Sequence, residues 1–243
     1  LTYIKFNQKP LDAILQGLDI HTDRINGILS LEGGGFFRGR NKVEIIRNLA
    51  GKFNLEITEG EVRKSNVIIN VLDFLSIQNI FQKRPPDILK EHFYFKNIQG
   101  YVTIKNGVFT TDRLFMKSPV FNAAAQGRFD FPRNQLNTLI GVQPLNTIDG
   151  IVSKIPIIGH ILTGKKKTIL VYYFKVQGKP DDVIVKQVPF RNLDDAIAGY
   201  FKRLFLTPTR LWNKFFDTWE EFDKDVHTGT GHAAEPDTSS IGP

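Results

Sequence analysis

Apolar and polar residues alternate with a period of two along much of the chain before Pro189, and that pattern commits those stretches to β-strands with one dry and one wet face. In residues 51–58, Phe53, Leu55 and Ile57 point one way, while Lys52, Asn54, Glu56 and Thr58 point the other. Residues 98–105 repeat this, with Ile98, Val102 and Ile104 set against Gln99, Tyr101, Thr103 and Lys105. Asn106-Gly107 follows at once, a strong hairpin signal because both residues tolerate a left-handed backbone. In residues 120–131, Phe121, Ala123, Ala125, Phe129 and Phe131 oppose Asn122, Gln126, Arg128 and Asp130. Residues 168–178 and 183–188 form a further pair, turned at Gly178-Lys179-Pro180-Asp181. The expected sheet is therefore antiparallel, apolar on one face and wet on the other.

A Gly-x-apolar-x-apolar unit recurs at Gly27, Gly51, Gly100 and Gly127, with Gly178 at the equivalent place in a fifth strand. Spacings near one or two multiples of roughly 25 residues fit hairpin-sized units in a strand array, and equally fit glycines scattered through any β protein. Two longer gaps carry helical patterns. Residues 66–81 place Ile69, Leu72, Phe74, Leu75, Ile77 and Ile80 at helical spacing and stop before Pro85-Pro86. Residues 147–162 form a second apolar segment, kinked or split at Pro156.

After Pro189 the period changes. Asn192 is placed to cap a helix whose stripe is Leu193, Ala196, Ile197, Tyr200, Phe201, Leu204 and Phe205. Thr207-Pro208 starts a second helix bearing Leu211, Trp212, Phe215, Phe216, Trp219 and Phe222 on one face. From His227 the chain is poor in large apolar residues and reads as a disordered tail. The expected organisation is a strand-rich segment over residues 1–190 with helical insertions near 66–82 and 147–163, amphipathic helices over 191–225, and the tail over 226–243.

Composition narrows the chemistry. The chain has 20 Phe against 6 Tyr and 2 Trp, and Phe, lacking a polar handle, suits dry surfaces better than hydrogen-bonded ligand sites. There is no cysteine, so disulfides, thiolate metal sites and cysteine nucleophiles are excluded. The net charge of +7 comes from scattered bases, with no basic stripe interleaved with exposed aromatics and no nucleic-acid motif, so nucleic acid is not an expected partner. Gly159 to Lys165 imitates a phosphate loop, but Lys166 stands where Ser or Thr should hold magnesium, and the apolar segment comes before the strand rather than after it. The five histidines share no ligand spacing, and no Gly-x-Ser-x-Gly elbow occurs. Neither catalysis nor a metal or cofactor is expected.

Further along, the residues carry a resemblance. Leu145-Asn146-Thr147-Ile148-Asp149 and the Ile155-Pro156-Ile157-Ile158-Gly159-His160-Ile161-Leu162-Thr163-Gly164 block are similar to the "IP-x-x-G-x-x-L-x-G" signature of AsmA-like C-terminal domains. The stretch from Tyr173 to Pro180 and on to Val188-Pro189 resembles the closing hairpin of that family, which includes TamB-like and YhdP-like proteins. Asn106-Gly107-Val108, Ser118-Pro119-Val120-Phe121-Asn122 and Gly127-Arg128-Phe129-Asp130 also fit its wording, and the likeness covers roughly residues 10–206.

The resemblance implies a Gram-negative envelope protein crossing the periplasm, anchored in the inner membrane by a segment upstream of Leu1. It implies a mainly β fold with helical insertions, in which a curved antiparallel sheet forms an open groove followed by C-terminal amphipathic helices. It also implies phospholipid moving between the inner and outer membranes, with membrane surfaces and outer-membrane or other envelope proteins as further partners. The family has no fixed catalytic or binding motif to transfer. The residues themselves nominate Phe53, Leu55, Ile57, Val102, Ile104, Phe121, Phe129 and Phe131 as a shared lipid-facing surface. They nominate Phe201, Phe205, Trp212, Phe215, Phe216 and Trp219 for a membrane interface. Competing readings are a closed sandwich, helices docked on the sheet, and an assembly factor for outer-membrane proteins that carries no lipid.

Overall fold

The computed structural model describes residues 2–17, 24–77, 91–145, 160–163 and 168–206. Ten strands make one antiparallel sheet: β1 (Thr2–Pro10), β2 (Ile25–Phe36), β3 (Ala50–Arg63), β4 (His92–Lys105), β5 (Val108–Lys117), β6 (Phe121–Asp130), β7 (Gln135–Pro144), β8 (His160–Thr163), β9 (Thr168–Lys179) and β10 (Asp182–Val188). The order is β1-β2-β3-β4-β5-β6-β7-β9-β10, and β8 pairs with Thr168–Val171, the part of β9 that β7 leaves free. Each neighbour in that path follows its predecessor by a hairpin or a longer return, so the pairing is nearly all between successive strands. β1 and β10 are not paired with each other, and the sheet is open.

The sheet is also curved. Arg24, just before β2, reaches Asp181 in the β9–β10 turn at 2.7 Å, which brings the second strand and the last hairpin together. Bulges add local twist. One lies opposite Gly27 (φ 141), where β3 gains a residue between Thr58 and Glu61, and another at Asp112, where β5 gains a residue against both β4 and β6. The Asn106-Gly107 turn has φ values of 51 and 72, the left-handed pair that a two-residue hairpin needs.

Among the described residues four helices decorate the sheet: α1 (Leu11–Gly17), α2 (Lys42–Arg47), α3 (Asn66–Ile77) and α4 (Asp195–Leu206). Ser65 caps α3, its Oγ accepting from the Ile68 N–H. Ile68, Val71, Leu72 and Leu75 of α3 gather into one core with Phe93, Phe121, Ala123, Val142, Tyr172 and Phe174, and Met116 and Val185 pack against it. Side chains from β4, β5, β6, β7, β9 and β10 thus converge on one short helix, so the face that α3 occupies is concave.

Two helical expectations are corrected. His160–Thr163 is a strand, not the end of an apolar helix, because its backbone groups find partners along β9; residues 147–159 lie outside the described residues. The last helix begins at Asp195 and is capped by Asp194, whose Oδ1 accepts from the Ile197 N–H; Asn192 instead ends a short 3-10 turn, Phe190–Asn192.

Candidate lipid-binding face

Cross-strand partners in an antiparallel sheet share a face, so the register sorts the side chains. Phe53 pairs with Gly33 and Val102, Leu55 with Leu31 and Gly100, and Ile57 with Leu29 and Ile98. Ile104 pairs with Phe109, Phe109 with Phe129, and Phe129 with Leu136. Leu114, Ala125, Ile140 and Phe174 form a parallel row, and Met116, Ala123, Val142 and Tyr172 another. These rows make one apolar face running from β2 to β10. Every nominated lipid-facing residue within a strand lies on it. Phe131 sits just past the end of β6, its ring edge-on to Phe129 with centroids 6.3 Å apart.

The face has two regions. Under α3 it is filled: Phe121 is 1 % exposed and stacks on Phe93, while Phe74 meets both Tyr172 and Phe174 edge-on. Toward β2–β5 it is less filled: Leu31, Leu55, Ile57, Ile98, Val102 and Phe109 are all partly exposed. Phe53 and Ile104 are buried in this second region. Phe53 lies flat, its ring occupying the space that side chains at Gly33, Gly35 and Gly51 would need. Leu114 fills the corresponding space over Gly100. The recurring glycines at 51, 100, 127 and 178 all fall on this face, where they lower its floor.

The opposite face is mainly polar but carries one large apolar patch. The Gln99 amide donates to Glu56 at 2.7 Å, and the Arg113 guanidinium sits 5.4 Å over the Tyr101 ring. The patch is Phe115, Ala124, Gly141 and Tyr173, and α4 covers it. Phe201 packs on Tyr173, Phe205 on Phe115, and the Tyr200 hydroxyl donates to the Ala125 carbonyl at 3.5 Å. Gly141 makes the approach possible, since a Cβ there would lie 2.8 Å from the Phe201 ring.

Phe201 and Phe205, nominated for a membrane interface, are buried against the sheet. Burying both rings on a waiting apolar patch stabilises by roughly 2 kcal/mol or more each. Trp212, Phe215, Phe216 and Trp219 lie outside the described residues. No described helix is long and apolar enough to cross a membrane.

Charged groups flank the apolar face rather than line it. Glu61 accepts from Asn26, Arg63 and His92, and Arg63 foremost holds its carboxyl below the usual range. Asp130, at the far end of β6, accepts from the Arg133 guanidinium at 2.9 Å, from its backbone N–H at 3.1 Å and from Arg128 at 3.0 Å. Arg133 above all keeps the Asp130 carboxyl below its ordinary value. Both carboxylates are spent on holding neighbouring strands and turns. Among the described residues no three His, Asp or Glu side chains gather as a metal site.

Leu29, Leu31, Ile98, Phe109, Leu136, Tyr172 and Phe174 belong to the same face and were not nominated from sequence. For Ile98, Tyr172 and Phe174 the alternation was there to be read. For Phe109 it was not, because the bulge at Asp112 puts Phe109 and Leu114 on one face despite opposite parity.

A family model described as YhdP protein matches residues 4–185, which takes in most of β1, every strand from β2 to β9 and about half of β10. The chain belongs to the YhdP protein family. The YhdP match spans the apolar face from β2 to β9 and ends within β10, before α4. No curated protein and no solved structure matches the chain. YhdP membership associates the chain with the cell envelope and agrees with the resemblance to AsmA-like domains seen in its residues.

Proposed function

We propose that the chain is a non-catalytic segment of an envelope-spanning protein whose apolar face carries phospholipid acyl chains between the inner and outer membranes through the periplasm. The observation that carries this reading is the continuous apolar face of an open sheet, partly exposed at Leu55, Ile57, Ile98 and Val102. A phospholipid exposes some 30 methylenes, about 0.8 kcal/mol each, so roughly 25 kcal/mol must be offset during passage through water. A lowered floor of glycine and flat Phe53, walled by Leu and Ile, supplies such a sheath with no polar group to hold a headgroup in one place. Anchoring by a segment upstream of residue 1 and delivery to a membrane by the residues after α4 complete the proposal.

A second reading is an assembly factor for outer-membrane proteins that conducts no lipid. The observation favouring it is α3, which already fills the concave face over Phe121 and Phe174 as a packed core would. Photo-crosslinking in cells separates the two. A benzoylphenylalanine placed at Leu55 or Ile57 is expected to give phospholipid adducts, and one placed at Glu56, on the other face, none. Protein adducts at Leu55 in place of lipid would favour the assembly reading.

A further inference from the structure

The loop between β2 and β3 is built as a rigid, outward-facing tip. Asn41 caps α2 by accepting from the Glu44 N–H at 2.9 Å, and the Glu44 carboxylate accepts from the Arg40 N–H at 2.8 Å. The Asn48 amide donates to the Arg38 carbonyl at 3.0 Å, closing the loop on itself. Gly39 lets the chain pass within contact of α2, where a Cβ would lie 2.6 Å from the Ile45 nitrogen. The Leu49 carbonyl accepts from the Gly107 N–H, and the Gly107 carbonyl from Phe131, so the tip is tied to the next two turns at the rim of the apolar face.

This ordered loop leaves Phe36, Phe37 and Val43 60 %, 48 % and 51 % exposed. Adjacent large apolar side chains held out in water by a hydrogen-bonded loop mark an interaction surface rather than a fraying one. The cations beside them point to what it meets. Arg38, Arg40 and Arg47 are exposed and pair with no carboxylate among the described residues, while the nearest acid, Glu44, is occupied within the loop. Phenyl rings and an aliphatic side chain surrounded by free guanidinium groups match a bilayer surface, where hydrocarbon lies just beneath phosphate.

We infer that this tip docks on an anionic phospholipid bilayer, inserting Phe36, Phe37 and Val43 below the headgroups while Arg38, Arg40 and Arg47 hold lipid phosphates. The contact does not depend on the apolar face carrying lipid, and it uses the β2–β3 rim rather than the residues after α4. It would bring the rim of that face directly against a membrane.

The test is flotation of the full chain with extruded vesicles of phosphatidylethanolamine and phosphatidylglycerol, against vesicles of phosphatidylcholine alone. The wild type is expected to float with the anionic vesicles, and raising the salt should weaken that binding. Phe36→Ser with Phe37→Ser should lower binding at least tenfold. Arg38→Glu with Arg40→Glu should lower it by a similar factor, since each base near an anionic surface contributes about fivefold. Thermal melts of both variants should match the wild type, and their co-purified lipid should be unchanged, which separates this contact from the groove. Binding that survives both double substitutions would overturn the inference. So would light scattering that shows a second copy of the chain seated on the tip and released by the Phe substitutions.

Discussion

Gly33 lies directly opposite Phe53 across the β2–β3 pair, and a Cβ at Gly33 would fall 2.4 Å from the Phe53 ring. The glycine is what lets that ring lie flat on the sheet. Gly33→Ala must push the ring upward or shift the strand, since the same Cβ would meet the Lys52 carbonyl at 2.3 Å. Overpacking of this kind costs about 1–3 kcal/mol, to be read as a lowered urea midpoint with an unchanged slope. A midpoint equal to the wild type would show that the ring already stands clear.

Tyr172 carries its hydroxyl into the core beneath α3, where it has no hydrogen-bond partner among the described residues. Burial pushes this hydroxyl up to about 12. An orphaned buried hydroxyl disfavours folding, so Tyr172→Phe should be neutral or stabilise by up to about 2 kcal/mol. Denaturant melts decide it, and a loss of stability would reveal a partner for the hydroxyl.

Asp130 gives a pH signature. Its folded value lies below the ordinary 3.8, chiefly because the Arg133 side chain donates to it. The stabilisation from this contact is therefore complete above the unfolded value and drains away as pH falls through 3.8 toward the folded value. Asp130→Asn should flatten the acid side of the stability curve between pH 5 and 3, roughly one unit either side of the ordinary carboxylate value, and lower stability at neutral pH. Urea melts across that window check it. An acid limb of unchanged steepness would assign the loss to other carboxylates, Glu61 first.

Much of this was legible from alternation alone, for a physical reason. β3 pairs with β4 in unbroken register from Gly51 to Thr58, so a period of two carries Phe53, Leu55, Ile57, Val102 and Ile104 to one face without ambiguity. Where a bulge intervenes, as at Asp112, parity flips and Phe109 is hidden from such reading. Ile161 and Leu162 look helical in sequence because a short apolar run has no period of its own, and only the pairing with β9 makes them a strand. The stripe Phe201, Leu204 and Phe205 was visible, but an amphipathic helix does not state what it faces. Gly141 does: it opens the sheet to those rings, and its role emerges only when β7 lies beneath α4.

The most direct measurement of the central claim is native mass spectrometry of the purified chain beside two charge substitutions. Val102 lies on the partly exposed region of the apolar face, and Phe121 lies in the filled one. The wild type is expected to retain phospholipid. Val102→Asp should lose it while melting within a few degrees of the wild type, because an aspartate there still reaches water. Phe121→Asp should unfold, since it leaves an unpaired charge in a packed core at a cost of several kcal/mol. Wild-type protein free of phospholipid, or a Val102→Asp variant that unfolds as Phe121→Asp does, would contradict an open lipid-carrying face.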